Sequence, residues 1–323
     1  MASAGKDPAA RFSRPPIRRP AGVAVLLALG LAACGGEAGE ASGEGEEAES
    51  AVTDRIEEVG FRTPESVVHD PADDVYLVSN VNGEPTARDD DGFISRVSPD
   101  GSVDSLKWVD GAAGDFTLNA PKGMAIVGDS LYVTDIDCVR AFVRSTGAHS
   151  HDVCFEEATF LNDLAVDEND VFYVTDTGTE ETPGAVYRFT ADGSRARLAE
   201  GEILGGPNGI AFTPRGLLVV SFGSGEIYRL NAAGEQTPVA PRSDRQLDGI
   251  VFRGDQSFFF SSWGDSTVYQ VGTDGAVSRI VENVAAPADI GYDRGRSRLL
   301  IPLFQDDAVL FADVEPEEGA AAS

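Results

Sequence analysis

From residue 51 onward, apolar residues come in short alternating runs separated by turn-forming residues, and the runs repeat. The first run of each repeat opens on Pro or Leu, continues with a polar residue and usually a Gly, then alternates. It reads PESVVHD at 64–70, PKGMAIV at 121–127, LNDLAVD at 161–167, PNGIAFT at 207–213, LDGIVFR at 247–253 and PADIGYD at 287–293. The spacings are 57, 40, 46, 40 and 40 residues, a period typical of repeat architectures. A second apolar run follows from Val75, Leu131, Val171, Leu217, Phe258 and Leu299, and a third from Phe93, Val139, Ala185, Glu226, Thr267 and Ala308. Runs of this length, β-rich and bounded by turn residues, predict half-buried strands. Asp-Gly pairs at 100–101, 192–193 and 274–275, with Gly147 and Gly234 in the matching places, supply the positive φ that tight hairpins require.

A fourth run closes each unit, as at 103–109 or 277–281, but the sixth unit lacks one and the chain ends soon after Val314. A spare strand stands at the other end, at 53–59. Propellers set four-stranded blades around a channel, and pairing the first strand with the last blade seals the ring. The expectation is therefore an all-β, six-bladed β-propeller over residues 52–314, a single domain whose sixth blade takes its outer strand from the N-terminal side. Cys138 and Cys154 lie symmetrically about residue 146. They should face each other on the last hairpin of blade 2, within disulfide range, although two free buried thiols would also suit that place.

Ahead of the repeats, residues 1–20 carry Lys6, Arg11, Arg14, Arg18 and Arg19 against one acid, Asp7, and a 13-residue apolar run follows from Ala21 to Ala33. The run is shorter than the ~20 residues needed to span a bilayer and has the layout of a signal peptide. Its end, Leu31-Ala32-Ala33-Cys34, resembles the bacterial lipobox, which implies cleavage before Cys34 and a lipid on that residue. Residues 1–33 thus read as a lipoprotein signal, and 34–51 as the lipidated Cys and a flexible Gly- and Glu-rich linker with nothing to form a core. Residues 315–323 form an acidic, Ala-rich tail. The expected location is the bacterial envelope, on the periplasmic or cell-surface side of the outer membrane, with the lipid as the sole membrane contact and the chain a monomer.

Charge narrows the partners. The chain has 54 acidic and 25 basic side chains, for a net −29; loss of residues 1–33, with their five basic and one acidic side chains, takes it to −33. Nucleic acid is excluded as a partner, because binding it needs a basic face. Three His and three Cys, with no Cys-x-x-Cys, supply neither histidine metal clusters nor a zinc ribbon.

The candidate chemistry lies in the polar position of the repeat: Glu65, Lys122, Asn162, Asn208, Asp248 and Ala288. Each begins the innermost strand of its blade and so points into the channel mouth. Carboxylate and carboxamide oxygens of this kind suit a hard divalent cation; the same residues would also serve to hydrate a channel and cap strand ends. Trp263, after the second run of blade 5, is a candidate pocket wall as well as a candidate for packing between blades. The segments 80–91 and 110–119 are candidate rim loops, and Asp135 and Asp176 read as blade-turn residues.

These repeats resemble the senescence marker protein, gluconolactonase and luciferin-regenerating enzyme family, and paraoxonases are similar propellers. The resemblance covers nearly all of 52–314. It implies one divalent ion near the ring centre, calcium first, with magnesium, zinc and manganese as alternatives. Glu65 matches the family's first-blade glutamate, Asn162 its third-blade Asn-Asp segment, Asn208 its Asn-Gly ligand segment, and Asp248 the aspartate that is both ligand and base. The implied substrate is a small-molecule lactone or ester. Asp248 would take a proton from the attacking water and Lys122 would assist the oxyanion. Lys122 departs from the pattern, since its ammonium could pair with Glu65 and displace the ion, and no Arg can be assigned to sugar recognition. The competing expectation is a non-catalytic ligand- or partner-binding propeller, because PKGMAIV followed by LYVTD also resembles an NHL-type repeat.

Overall fold

The computed structural model describes residues 52–316, except 242 and 255. The signal segment, the Cys34 lipid site and the linker lie outside the described residues, as does the tail from 317 onward. Each repeat forms one four-stranded antiparallel blade, and there are six such sheets among the described residues. Blades 1 to 5 begin with the strands Pro64–Asp70, Pro121–Val127, Leu161–Val166, Pro207–Thr213 and Leu247–Phe252. Blade 6 begins with the three-residue strand Gly291–Asp293 and is completed on its outer edge by Val52–Ile56, which pairs antiparallel with Ala308–Asp313. The first strand thus closes the ring from the other end of the chain. It stops at Ile56, short of the expected Val59, because the backbone turns at Glu58 with φ 59° and at Gly60 with φ 105°. Blade 6 has a short inner strand because its lead-in pairs sideways with blade 1: Asp289 N–H donates to the Glu65 carbonyl at 2.8 Å.

The apolar core lies between blades. One cluster joins Tyr132, Val139 and Val153 of blade 2 to Leu161, Phe172 and Phe189 of blade 3, and comparable clusters fill the other five junctions. Period-two strands present alternate side chains to opposite faces, so each blade buries both faces against its neighbours. The inner strands meet closely at the axis. A Cβ on Gly209 would lie 2.4 Å from the Asp248 carbonyl oxygen, and one on Gly249 2.5 Å from the Ile290 nitrogen; the Gly after the polar position is therefore a matter of space. Cys138 and Cys154 are direct partners across the last hairpin of blade 2 and form a disulfide, with Cα atoms 4.0 Å apart.

Candidate functional site

The inner strands share one irregularity. In blades 1 to 5 the pairing with the second strand breaks between the first and fourth residues: Pro64 to Val67, Pro121 to Met124, Leu161 to Leu164, Pro207 to Ile210 and Leu247 to Ile250. The polar residue of the repeat sits in each break. A bulge leaves a residue unpaired and re-aims its side chain, here into the channel mouth.

Glu65, Lys122, Asn162, Asn208 and Asp248 line one cavity of about 260 Å³. The five sequence candidates for metal and catalysis are thus brought together. All five are at least 96% buried. One oxygen on each of Glu65 (Oε2), Asn162 (Oδ1), Asn208 (Oδ1) and Asp248 (Oδ1) is buried without a hydrogen-bond partner. Unpaired buried acceptors are costly, roughly 1–3 kcal/mol each, and four facing one cavity call for a shared electropositive partner. Among the described residues no three His, Cys, Asp or Glu side chains form a metal cluster; the donors here are two carboxylates and two carboxamides, a hard-oxygen set that fits calcium or magnesium.

Lys122 does not occupy that place. Its Nζ donates to the Ala120 carbonyl at 2.9 Å and lies 4.8 Å from the centre of the Phe160 ring, while Glu65 Oε2 stays without a partner. Burial pushes the ammonium down to about 8, opposed by the charges of Glu65 and Asp135.

Two further acids, one residue further along the chain and not singled out by the repeat column, line a second cavity and act on the site through their charge: Asp163 after Asn162, and Asp289 after Ala288. Asp163 Oδ2 accepts the Ile210 N–H at 2.7 Å, and Asp289 Oδ2 accepts the Ser66 hydroxyl at 2.5 Å. Burial, followed by repulsion from Asp248 and Asp289, pushes Glu65 well above the usual carboxylate range. Burial, then Asp289, does the same to Asp163 and Asp248, and burial raises Asp289 to about 7. The column alone, two acids against one lysine, is a poor cage for a divalent ion; four acids repelling one another near the axis make it strongly cation-seeking.

The second strands of blades 2, 3 and 5 brace the site. Thr134 donates to the Asn162 carbonyl and Thr175 to the Asn208 carbonyl, and Ser261 reaches the Ala288 carbonyl at 2.8 Å; each bond ties a blade to the next at a channel residue. Asp135 and Asp176, read from the sequence as turn residues, are buried braces. Asp135 accepts the amides of Asn119 and Ala120 at 3.1 and 2.9 Å, and Asp176 that of Phe160 at 2.9 Å, which sets the lead-ins to Lys122 and Asn162. Their repeat position, last in the second strand, was the available signal.

The cavity wall is aromatic. Phe160, Phe222, Trp263 and Phe304 line it with Pro85 and Thr177. Trp263 is therefore pocket wall, meeting Phe222 edge-on at 5.3 Å and Phe304 at a tilt at 5.2 Å. Its indole N–H approaches Asp248 outside ideal hydrogen-bond geometry, and its partial charge opposes the rise of that acid. Of the two expected rim loops, 80–91 contributes Pro85 and 110–119 contributes no lining residue.

Residues 65–291 match the family described as SMP-30/Gluconolactonase/LRE-like region. Among solved structures, a gluconolactonase from Xanthomonas campestris superposes with TM-score 0.61 at 18% identity, covering 82% of this chain and 89% of that one. A calcium-binding protein, regucalcin, from Agrobacterium tumefaciens gives 0.59 at 16%, covering 82% and 94%. Virginiamycin B lyase from Staphylococcus aureus gives 0.57 at 13%, covering 81% and 99%. These likenesses concern the fold. No curated protein matches the sequence.

Proposed function

Because the chain belongs to the SMP-30/gluconolactonase/LRE-like family, we propose that it is a divalent-cation-dependent lactonase, hydrolysing a lactone or other small ester in the central cavity. The observation that carries this reading is the convergence of four unpaired, buried oxygens from four blades on one cavity. Glu65, Asn162, Asn208 and Asp248 would hold the cation. Calcium is the first choice and magnesium the second; manganese also accepts such oxygens, and zinc comes last, since the donors include no nitrogen or sulfur. When bound, the ion supplies Lewis acidity to the ester carbonyl.

The chain's own residues do the rest. Asp248 takes a proton from water as the water oxygen bonds to the carbonyl carbon. Lys122, with N–H donors left over after Ala120, hydrogen-bonds the oxyanion as it forms. Collapse breaks the ring carbon–oxygen bond, and the proton held by Asp248 passes to the leaving alkoxide, giving a hydroxy acid. The aromatic wall keeps bulk water from the reacting atoms. The binding-only alternative anticipated a Lys122–Glu65 ion pair in place of the cation, and Lys122 is turned to Ala120 and Phe160 instead.

In this reading the protein works as an exported, lipid-anchored monomer at the envelope, held by Cys34, with a small molecule as its partner and no nucleic acid. Calcium titration calorimetry on chelator-treated protein tests it, together with a screen of lactones and esters. One site per chain is expected, lost in Glu65→Gln and Asp248→Asn, with calcium-dependent hydrolysis. An Asp248→Asn protein that folds and keeps full activity would overturn it.

A further inference from the structure

The residue just after the second strand occupies the same place in every blade: Val81, Ile136, Thr177, Phe222, Trp263 and Phe304. In most blades its amide donates to the carbonyl that precedes the inner strand, as Phe222 does to Gly206 at 2.9 Å, Trp263 to Gln246 at 3.1 Å and Phe304 to Ala286 at 3.1 Å. The backbone therefore holds this column rigidly at the channel mouth. In blades 1 to 3 it is aliphatic or Thr; in blades 4, 5 and 6 it is aromatic three times running. The Trp263 ring meets Phe222 edge-on and Phe304 at a tilt, and each of the three is only half-buried, leaving ring surface to the cavity. Phe160 is different, because the Lys122 ammonium sits over its face.

We propose that Phe222, Trp263 and Phe304 form a stacking wall that selects lactones or esters carrying a flat aromatic group beside the reacting carbonyl. The proposal rests on the lactonase reading and names its substrate class. Most polar atoms of the cavity lie on the floor; the wall adds the Thr177 hydroxyl, which is spent on the Pro207 carbonyl, and the single indole N–H of Trp263. A polyhydroxylated sugar lactone would turn hydroxyls toward hydrocarbon, with no Arg, Asn or Gln on the wall to pair them, and unpaired buried hydroxyls are penalised. An aromatic ring meets offset or edge-on partners there, which favours it beyond the area buried. Selection of this kind is a difference between a satisfied and an unsatisfied ligand.

The test uses the full chain with Trp108→Phe, so that Trp263 is the only fluorophore of its kind, and hydrocarbostyril, the lactam analogue of dihydrocoumarin, as the probe. Saturable quenching of Trp263 is expected, weakened about tenfold by Phe304→Ala, with calcium affinity unchanged in that variant. D-glucono-lactam should not quench. With calcium, dihydrocoumarin should be hydrolysed with a kcat/KM about tenfold or more above that of D-glucono-δ-lactone, and Phe304→Ala should raise KM and leave kcat in place. Absence of quenching, or preference for the sugar lactone with Phe304→Ala indifferent, overturns the wall while leaving the lactonase intact. Quenching without hydrolysis of either lactone upholds the wall and removes the lactonase.

Discussion

Lys122 is the residue on which the chemistry turns. It is fully buried, cationic and lodged among acids, yet it leaves the oxygen cage to others by bonding a backbone carbonyl and an aromatic face. Burial lowers its pKa to about 8, and an added divalent cation nearby would lower it further. If the ammonium assists the oxyanion, kcat falls as pH rises through about 8 or somewhat below, since the neutral amine is a poorer donor. Lys122→Met should lose that limb of the pH profile and about 100-fold in kcat, with KM little changed. A variant with the wild-type profile would take Lys122 out of the reaction. Its long apolar stem explains how so large a side chain can be tolerated at the centre of the ring.

At the scale of elements, the bulge at the head of the inner strand and the hydroxyl near the end of the second strand act as a pair in blades 2, 3 and 5. The bulge points a side chain at the axis, and the hydroxyl fastens the strand of the next blade at that height. Thr175 links two blades: it accepts the Asp163 N–H of its own blade at 3.0 Å, within the bulge, and donates to the Asn208 carbonyl of blade 4. Thr175→Val keeps the shape and removes both bonds. It should cost about 1–3 kcal/mol of stability and weaken calcium binding roughly three- to tenfold through Asn208; thermal unfolding and calorimetry read the two effects. A stability loss with unaltered calcium affinity would show that the bond serves the ring alone.

On the scale of the whole molecule, six blades concentrate acids at one axis while the surface is acidic as well. Glu65, Asp163, Asp248 and Asp289 all have folded-state values raised above their ordinary ones. Such groups bind protons more tightly in the folded state. Their contribution is therefore fully present below the ordinary carboxylate range and lost as pH rises through the raised values, of which Asp289 marks about 7. Chelator-treated protein should lose on the order of 5 °C in Tm between about pH 5 and about pH 8, and calcium should restore most of it by giving the ionised carboxylates a partner. The exposed Asp74–Arg296 pair works in the opposite sense, since it holds Asp74 down to about 2 and so weakens only in stronger acid. A flat or rising Tm across that interval, without metal, would mean that the channel acids do not govern the pH response.

Six blades, their order, the closure by the first strand and the Cys138–Cys154 pair were all legible in the sequence. Strand periodicity and repeat spacing are local properties that survive linear reading. The polar column was legible for the same reason, because a repeated position in a ring becomes a shared place at its axis. What the linear pattern missed depends on distance across the ring. Asp163 and Asp289 stand in different blades beside unlike neighbours, and only closure brings their charges near Asp248 and Glu65. Asp135 and Asp176 look like turn residues until the lead-in of the inner strand is seen folded over them. Of the three aromatic residues of the rim, Trp263 was a candidate wall in the sequence, whereas Phe222 and Phe304 are ordinary strand-end residues singly and join it because consecutive blades set them beside it. Local pattern determined the elements and their count; tertiary structure decided which charges share one low-dielectric space, and electrostatic and packing energies depend on that proximity rather than on order along the chain.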